Sequence, residues 1–210
     1  VWLTLVFEMY QFSNNWFEAH KPSWKKLLEY SQPKNILEIG SYEGQSAVFA
    51  VSTILDIQPE LVNITCIDTW EGGREHVNDN MPSVEQRFDS NIEILSRKYG
   101  KRFNLKKIKK DSFSALSELC ASSSSQEFDF IYIDGSHDAS DVLYDAVASF
   151  KLLKLNGLMC FDDFLWHAGD RNPLHTPRQA IEAFISCYRD KVFLFDSGQS
   201  RQCWLSKTHH

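Results

Sequence analysis

Residues 128–163 read FDFIYIDGSHDASDVLYDAVASFKLLKLNGLMCFDD, and this stretch decides the fold. An apolar run over 128–134 delivers Asp134, Gly135, Ser136, His137 and Asp138 at its end. A helical segment follows over 140–153, with Val142, Ala146, Ser149 and Leu153 on one stripe, and Asn156-Gly157 is expected to stop it. A second apolar run, 157–162, then ends in Asp162-Asp163. Two buried strands joined by an amphipathic helix form the crossover unit of a parallel sheet.

The alternation extends in both directions. Upstream, strands are expected at 35–39, 63–68 and 104–109, with helices at 45–56, 84–99 and 112–121. Downstream comes a helix at 178–188, then two runs, 191–196 and 202–206. The five residues between those runs can join only antiparallel neighbours. The sum is an α/β, Rossmann-like three-layer sandwich: a seven-stranded, mostly parallel sheet with one antiparallel strand from a C-terminal hairpin. No internal repeat is present, and the serine run 122–125 reads as an exposed loop. Ahead of the first strand, Phe7, Tyr10, Phe12, Trp16, Phe17 and Trp24 form an aromatic-rich segment. It packs across the sheet or over its ligand edge, or it completes the core as an extra helix.

The 210 residues correspond to one domain, 1–210, with 1–34 packing on it. Twenty-two basic against 28 acidic residues leave −6, so electrostatics favour a small-molecule partner over nucleic acid. The five cysteines are scattered without a CxxC pair, which suits a reducing, cytoplasmic setting. No apolar run is long enough to span a membrane, and Val1–Phe7 is too short and lacks a basic flank for a signal peptide. The sequence is compatible with a homo-oligomer and does not specify one.

In open α/β sheets ligands bind beyond the carboxyl ends of the strands. The first strand ends in Glu38-Ile39-Gly40-Ser41-Tyr42-Glu43-Gly44-Gln45-Ser46, where two glycines four apart permit a sharp turn close to a ligand. Asp68, at the end of the second strand, is placed to accept ribose hydroxyls. Asp111 in Lys110-Asp111-Ser112 either accepts from an adenine amine or caps the next helix. Asp134, Asp162 and Asp163 converge from adjacent strands; such carboxylates repel unless protonated or bridged by a cation, with Mg²⁺ the first expectation. The other reading is a helix cap and two solvated acids. Trp70, Arg74, His76, Trp166, His167 and Arg171 either line an acceptor pocket or form solvated loops with aromatic anchors. Lys106-Lys107-Ile108-Lys109-Lys110 reads as a solvated edge of the third strand.

Together, Glu38–Ser46, Cys66-Ile67-Asp68-Thr69-Trp70, Asp134-Gly135-Ser136-His137 and Asp162-Asp163 resemble class I S-adenosylmethionine-dependent methyltransferases. More narrowly, the chain resembles the metal-dependent O-methyltransferase branch, catechol-type and macrocin-type, over roughly residues 12 to 206. The resemblance implies that Glu38, Gly40, Ser41, Gly44 and Ser46 serve the methionine end of the cofactor. It implies that Asp68, with Thr69 and Trp70, holds the ribose, and that Asp111 and Ser112 approach the adenine. It implies a divalent metal, Mg²⁺, on Asp134, Asp162 and Asp163, although catechol-type relatives carry an amide where Asp163 stands. It implies His137 as the base that deprotonates a small-molecule hydroxyl; an imidazole ordinarily titrates at about 6.5. Two rivals stay open: an NAD-dependent oxidoreductase, which would be expected to carry the tighter GxGxxG fingerprint, and a non-catalytic S-adenosylmethionine-binding module.

Overall fold

Strands β1 (Asn35–Ile39), β2 (Val62–Asp68), β3 (Phe103–Lys109), β4 (Phe128–Ile133), β5 (Leu153–Phe161), β6 (Val192–Asp196) and β7 (Cys203–Lys207) form one sheet in the order β3-β2-β1-β4-β5-β7-β6. The structure is a computed structural model that describes residues 9–122, 127–167, 169, 172–196 and 201–210. Pairings from β3 through β5 are parallel, and β7 runs antiparallel to both β5 and β6. The expected sheet with its single reversed strand is therefore present. Phe7, Arg171, most of the serine run and the tip of the C-terminal hairpin lie outside the described residues.

Period-two alternation splits the core between the two faces. On β4, Phe130 and Tyr132 join the layer under α1 (Lys21–Ser31), α2 (Gln45–Leu55) and α3 (Met81–Tyr99). Ile131 and Ile133 join the layer under α4 (Ser112–Ser122), α5 (Ala139–Leu152) and α6 (Pro177–Tyr188). Because β4 is covered on both faces, its sequence reads as one apolar run.

The aromatic N-terminal segment fulfils both readings. Trp24 of α1 packs edge-on against Phe130, Tyr132 and Trp204, and its indole N–H donates to Gln202 Oε1 at 2.8 Å. Burying that ring contributes on the order of 2–3 kcal/mol, provided the N–H keeps its partner. In the short 3-10 helix just ahead of α1, Trp16, Phe17 and His20 border the ligand edge.

Asn156-Gly157 does not stop α5. The helix ends at Leu152 and β5 begins at Leu153. Asn156 instead adopts φ +63, in an irregular stretch where the β4–β5 register shifts between Phe128 and Phe130. A Cβ on Gly157 would stand 2.9 Å from the Lys154 carbonyl oxygen, with Leu153 Cδ1 at 2.7 Å, so a side chain there would crowd the backbone beside this bulge.

Candidate functional site

Parallel register brings the chemistry together. Ile39 pairs with Ile67 and Ile133, and Ile133 with Phe161, so the next residues, Gly40, Asp68, Asp134 and Asp162, leave adjacent strands at one rim. They line a cavity of about 680 Å³. Ser41, Ser46, Thr69, Asp111, Ser112, His137 and Asp163 line it as well.

One half of the cavity is built on backbone. Gly40 sits at φ +82, and a Cβ there would meet the Asp134 carbonyl oxygen at 1.9 Å, so the β1 and β4 tips touch only through glycine. Gly44, at φ +77, caps the start of α2. Asp68 Oδ2 accepts from the Ser41 and Tyr42 N–H groups at 2.8 and 2.9 Å, and Oδ1 accepts from the Trp70 N–H at 2.7 Å. The carboxylate thus folds the glycine turn, and of its roughly four acceptor positions one is left for a ligand hydroxyl.

Behind this wall Glu38 is buried and accepts from the hydroxyls of Ser41 and Ser46, and burial pushes its carboxyl up to about 7 despite those bonds. Glu38 and Gly44 brace the wall and do not themselves border the cavity. Trp70 also differs from expectation. It is buried against Phe88, beneath Lys107, with its indole N–H on the Tyr42 carbonyl at 2.8 Å, so it holds the loop from the core side. Asp111 borders the cavity and also caps α4, accepting from the Ser114 N–H at 2.8 Å, which holds its carboxyl below the usual range.

The other half is built from side chains. His137 Nε2 lies 2.8 Å from Asp163 Oδ2, and Asp134, His137 and Asp163 each place a donor atom within 4.8 Å of the others. Trp166 stacks on the His137 ring at 4.1 Å. Asp162 is engaged differently: it accepts from the Tyr132 hydroxyl, from Gln202 Nε2 at 2.9 Å and from the Asp163 N–H at 2.8 Å, with His20 Nε2 at 3.8 Å. Burial, and then the neighbouring acids, raise the Asp134 carboxyl well above its ordinary range; Asp162 is raised for the same reasons. A divalent cation fits this donor set, because it replaces mutual repulsion with coordination.

Several residues at the site carried no sequence signal. His20 faces Asp162 from the N-terminal segment, and Tyr132 shares its hydroxyl between Asp134 and Asp162. Glu43 is buried and tied to Arg87 and to the Ser13 N–H at 2.6 Å, which pins that segment to the glycine turn. At the mouth, Tyr42 stacks on His76 at 5.1 Å with Trp16 at 5.6 Å, and Arg74 reaches Asp138 at 3.2 Å. Arg74, His76 and Trp166 border the cavity, which agrees with the first of the two readings given for them; His167 does not.

The chain resembles known proteins at each level of comparison. Tapetum-specific methyltransferase 1 of Arabidopsis thaliana is 29% identical over 81% of this chain and 62% of its own length. Caffeoyl-CoA O-methyltransferase of Populus kitakamiensis is 27% identical over 67% of this chain and 51% of its own. The chain thus spans about half to three-fifths of the length of these curated relatives. Among solved structures, an O-methyltransferase from Bacillus cereus in complex with SAH has a TM-score of 0.61 at 16% identity, covering 95% of this chain and 84% of that one. TomG from Streptomyces achromogenes, in complex with SAM, has a TM-score of 0.62 at 15% identity, covering 91% and 80%. These two establish likeness of fold. A family model described as "Methyltransferase domain" matches residues 37–164, the stretch from β1 to just beyond the Asp162-Asp163 tip, and the chain belongs to that family.

Proposed function

We propose that the protein transfers the methyl group of S-adenosylmethionine to a hydroxyl of a small molecule. The observation that carries this reading is the joining, in one cavity, of a backbone-lined half with a half made of acids and imidazoles. The first half suits a nucleoside with a charged amino-acid tail: Asp68 is at hand for the ribose, Asp111 and Ser112 for the base, and the Gly40–Gly44 turn for the tail. The second half suits an acceptor that must lose a proton. Methyl transfer from a sulfonium is an in-line displacement, so the cavity has to align the acceptor oxygen with the methyl carbon and make it nucleophilic.

His137 and His20 both border that end, each against one carboxylate beyond the β5 tip. A divalent cation bound there, with Asp134 and Asp163 among its ligands, would stabilise the oxyanion as the hydroxyl proton leaves. Trp16, Trp166 and Arg74 give the open side a surface suited to a planar or sugar-like, anionic acceptor. All five cysteines are free, in keeping with a cytoplasmic enzyme. Among the described residues no helix is long and apolar enough to cross a membrane.

The oxidoreductase rival lacks support in the glycine spacing, and a purely cofactor-binding module has no need to crowd buried acids beside its ligand. Calorimetry with S-adenosylhomocysteine and with NADH, followed by a screen for methyl transfer from labelled S-adenosylmethionine to hydroxylated small molecules, tests the proposal. Binding of the former, no binding of NADH and label in an acceptor are expected. NADH binding alone would overturn it.

A further inference from the structure

We infer that His137 is a metal ligand, that Asp162 is not, and that the site therefore favours a later first-row divalent ion such as Co²⁺ over Mg²⁺. The inference rests on the reading of the cavity's side-chain half given above. Two consecutive acids at a strand tip would point to opposite faces if both were extended. Asp163 instead takes φ +57, and the two carboxylates go to different partners. Asp162 spends its acceptor capacity on Tyr132, Gln202 and the Asp163 N–H, and it faces His20. Of about four acceptor positions three are taken, and the one left, on Oδ1, faces His20 Nε2 at 3.8 Å, whereas Asp163 has its Oδ2 against His137. Asp163 turns to Asp134 and His137, and among the described residues these three have donor atoms within 4.8 Å of one another.

The ring of His137 is set for this role. Trp166 stacks on one face at 4.1 Å, and Nε2 is directed at Asp163 Oδ2. In the hydrogen bond to the Asp163 carboxylate, Nε2 is the donor; as a ligand the neutral ring carries its proton on Nδ1 and presents the Nε2 lone pair beside the same carboxylate. Replacing one carboxylate by an imidazole changes which ion binds best. All-oxygen sites suit Mg²⁺, whereas imidazole nitrogen favours the later first-row divalent ions. Asp162 and Tyr132 then form the outer layer that fixes Asp163 through its N–H and Asp134 through the shared hydroxyl.

The test is metal binding, read without turnover. Co²⁺ and Mg²⁺ are titrated separately by calorimetry into the full chain carrying His209→Gln and His210→Gln, which removes the exposed terminal imidazoles. His137→Gln and Asp162→Asn are then added one at a time. Pulsed EPR of the Mn²⁺-loaded parent reads nitrogen coupling directly and does not depend on any variant at the site folding. We expect Co²⁺ to bind at least tenfold more tightly than Mg²⁺, that ratio to fall at least tenfold in His137→Gln and to stay within threefold in Asp162→Asn, and a ¹⁴N coupling to appear. An unchanged ratio in His137→Gln, or the lack of ¹⁴N coupling, would overturn the inference. If S-adenosylhomocysteine binds and no divalent ion does, the inference is overturned and the proposed methyl transfer stands; loss of S-adenosylhomocysteine binding would strike the proposed function instead.

Discussion

The two halves of the cavity are made differently. In the first, the contacts that set shape are to backbone: the Asp134 carbonyl against Gly40, and three N–H groups converging on Asp68. In the second, they run between side chains: His137 to Asp163, Tyr132 to Asp134 and Asp162, and Gln202 to Asp162. Backbone contacts follow from strand register and tolerate almost no change in shape, whereas side-chain contacts follow from rotamers and can be removed one at a time. Substitutions in the first half should therefore disturb folding and cofactor affinity together, and those in the second should disturb the fate of the acceptor alone.

The largest effect is expected at Gly40. An alanine there places a Cβ 1.9 Å from a backbone oxygen in a conformation, φ +82, that side chains rarely adopt, so β1 and β4 must separate. We expect Gly40→Ala to lose about 4 kcal/mol or more in denaturant unfolding, together with S-adenosylhomocysteine binding. A stable variant with intact affinity would show that the tips are not locked by backbone contact.

His137→Ala comes next and should behave in the opposite way. Turnover should fall roughly 10²-fold or more, while calorimetry gives an S-adenosylhomocysteine affinity within about twofold of the parent. Equal losses in both quantities would erase the distinction between the halves.

How the sequence displayed each half follows from the same difference. The succession of strands along the chain, one reversed strand in a C-terminal hairpin and the gathering of Gly40, Asp68, Asp134 and Asp162 at the strand ends were legible, because apolar runs and turn residues mark where each strand stops and parallel strands stop at the same edge; the spatial order β3-β2-β1-β4-β5-β7-β6 was not. His20 was not legible: it arrives from a segment whose path depends on Trp24 finding its slot against Phe130 and Trp204. Nor was the division of labour between Asp162 and Asp163, which depends on one left-handed residue that the sequence pattern does not mark. Trp70 misled for a related reason, since a tryptophan at a strand tip serves a ligand or the core equally well until Phe88 is in place.

A smaller effect tests the buried acid beneath the backbone half. Glu38 is held near 7 in the fold against about 4.5 when unfolded, so between those values the folded chain keeps a proton that the unfolded chain has lost. Its contribution to stability is therefore greatest below about 4.5, declines as pH rises toward 7 and levels off above. Glu38→Gln does not titrate. The stability of the variant relative to the parent should rise between about pH 4.5 and 7, by up to about 3 kcal/mol, as followed by urea unfolding at several pH values. A difference that stays flat with pH would mean that Ser41 and Ser46 keep the carboxylate ionised despite its burial.

The smallest and most informative effect is expected at Asp68. In Asp68→Asn one carboxylate oxygen becomes an amide NH₂. If that group replaces Oδ1 it faces the Trp70 N–H donor to donor; if it replaces Oδ2 it faces those of Ser41 and Tyr42. Either arrangement leaves a backbone N–H unsatisfied, which costs about 1–2 kcal/mol. Affinity for S-adenosylhomocysteine should drop about tenfold, with turnover at saturating cofactor nearly unchanged. A loosened turn alone would produce the same numbers, so the ligand has to be varied as well. An analogue lacking the ribose 2′-hydroxyl should bind the parent less tightly than the full ligand. It should bind the Asp68→Asn variant about as well as the full ligand does, because the hydroxyl has then lost its partner. If the deoxy penalty is the same in both proteins, Asp68 folds the glycine turn and does not hold the ribose, and the backbone half would recognise its ligand through the Ser41 and Tyr42 amides instead.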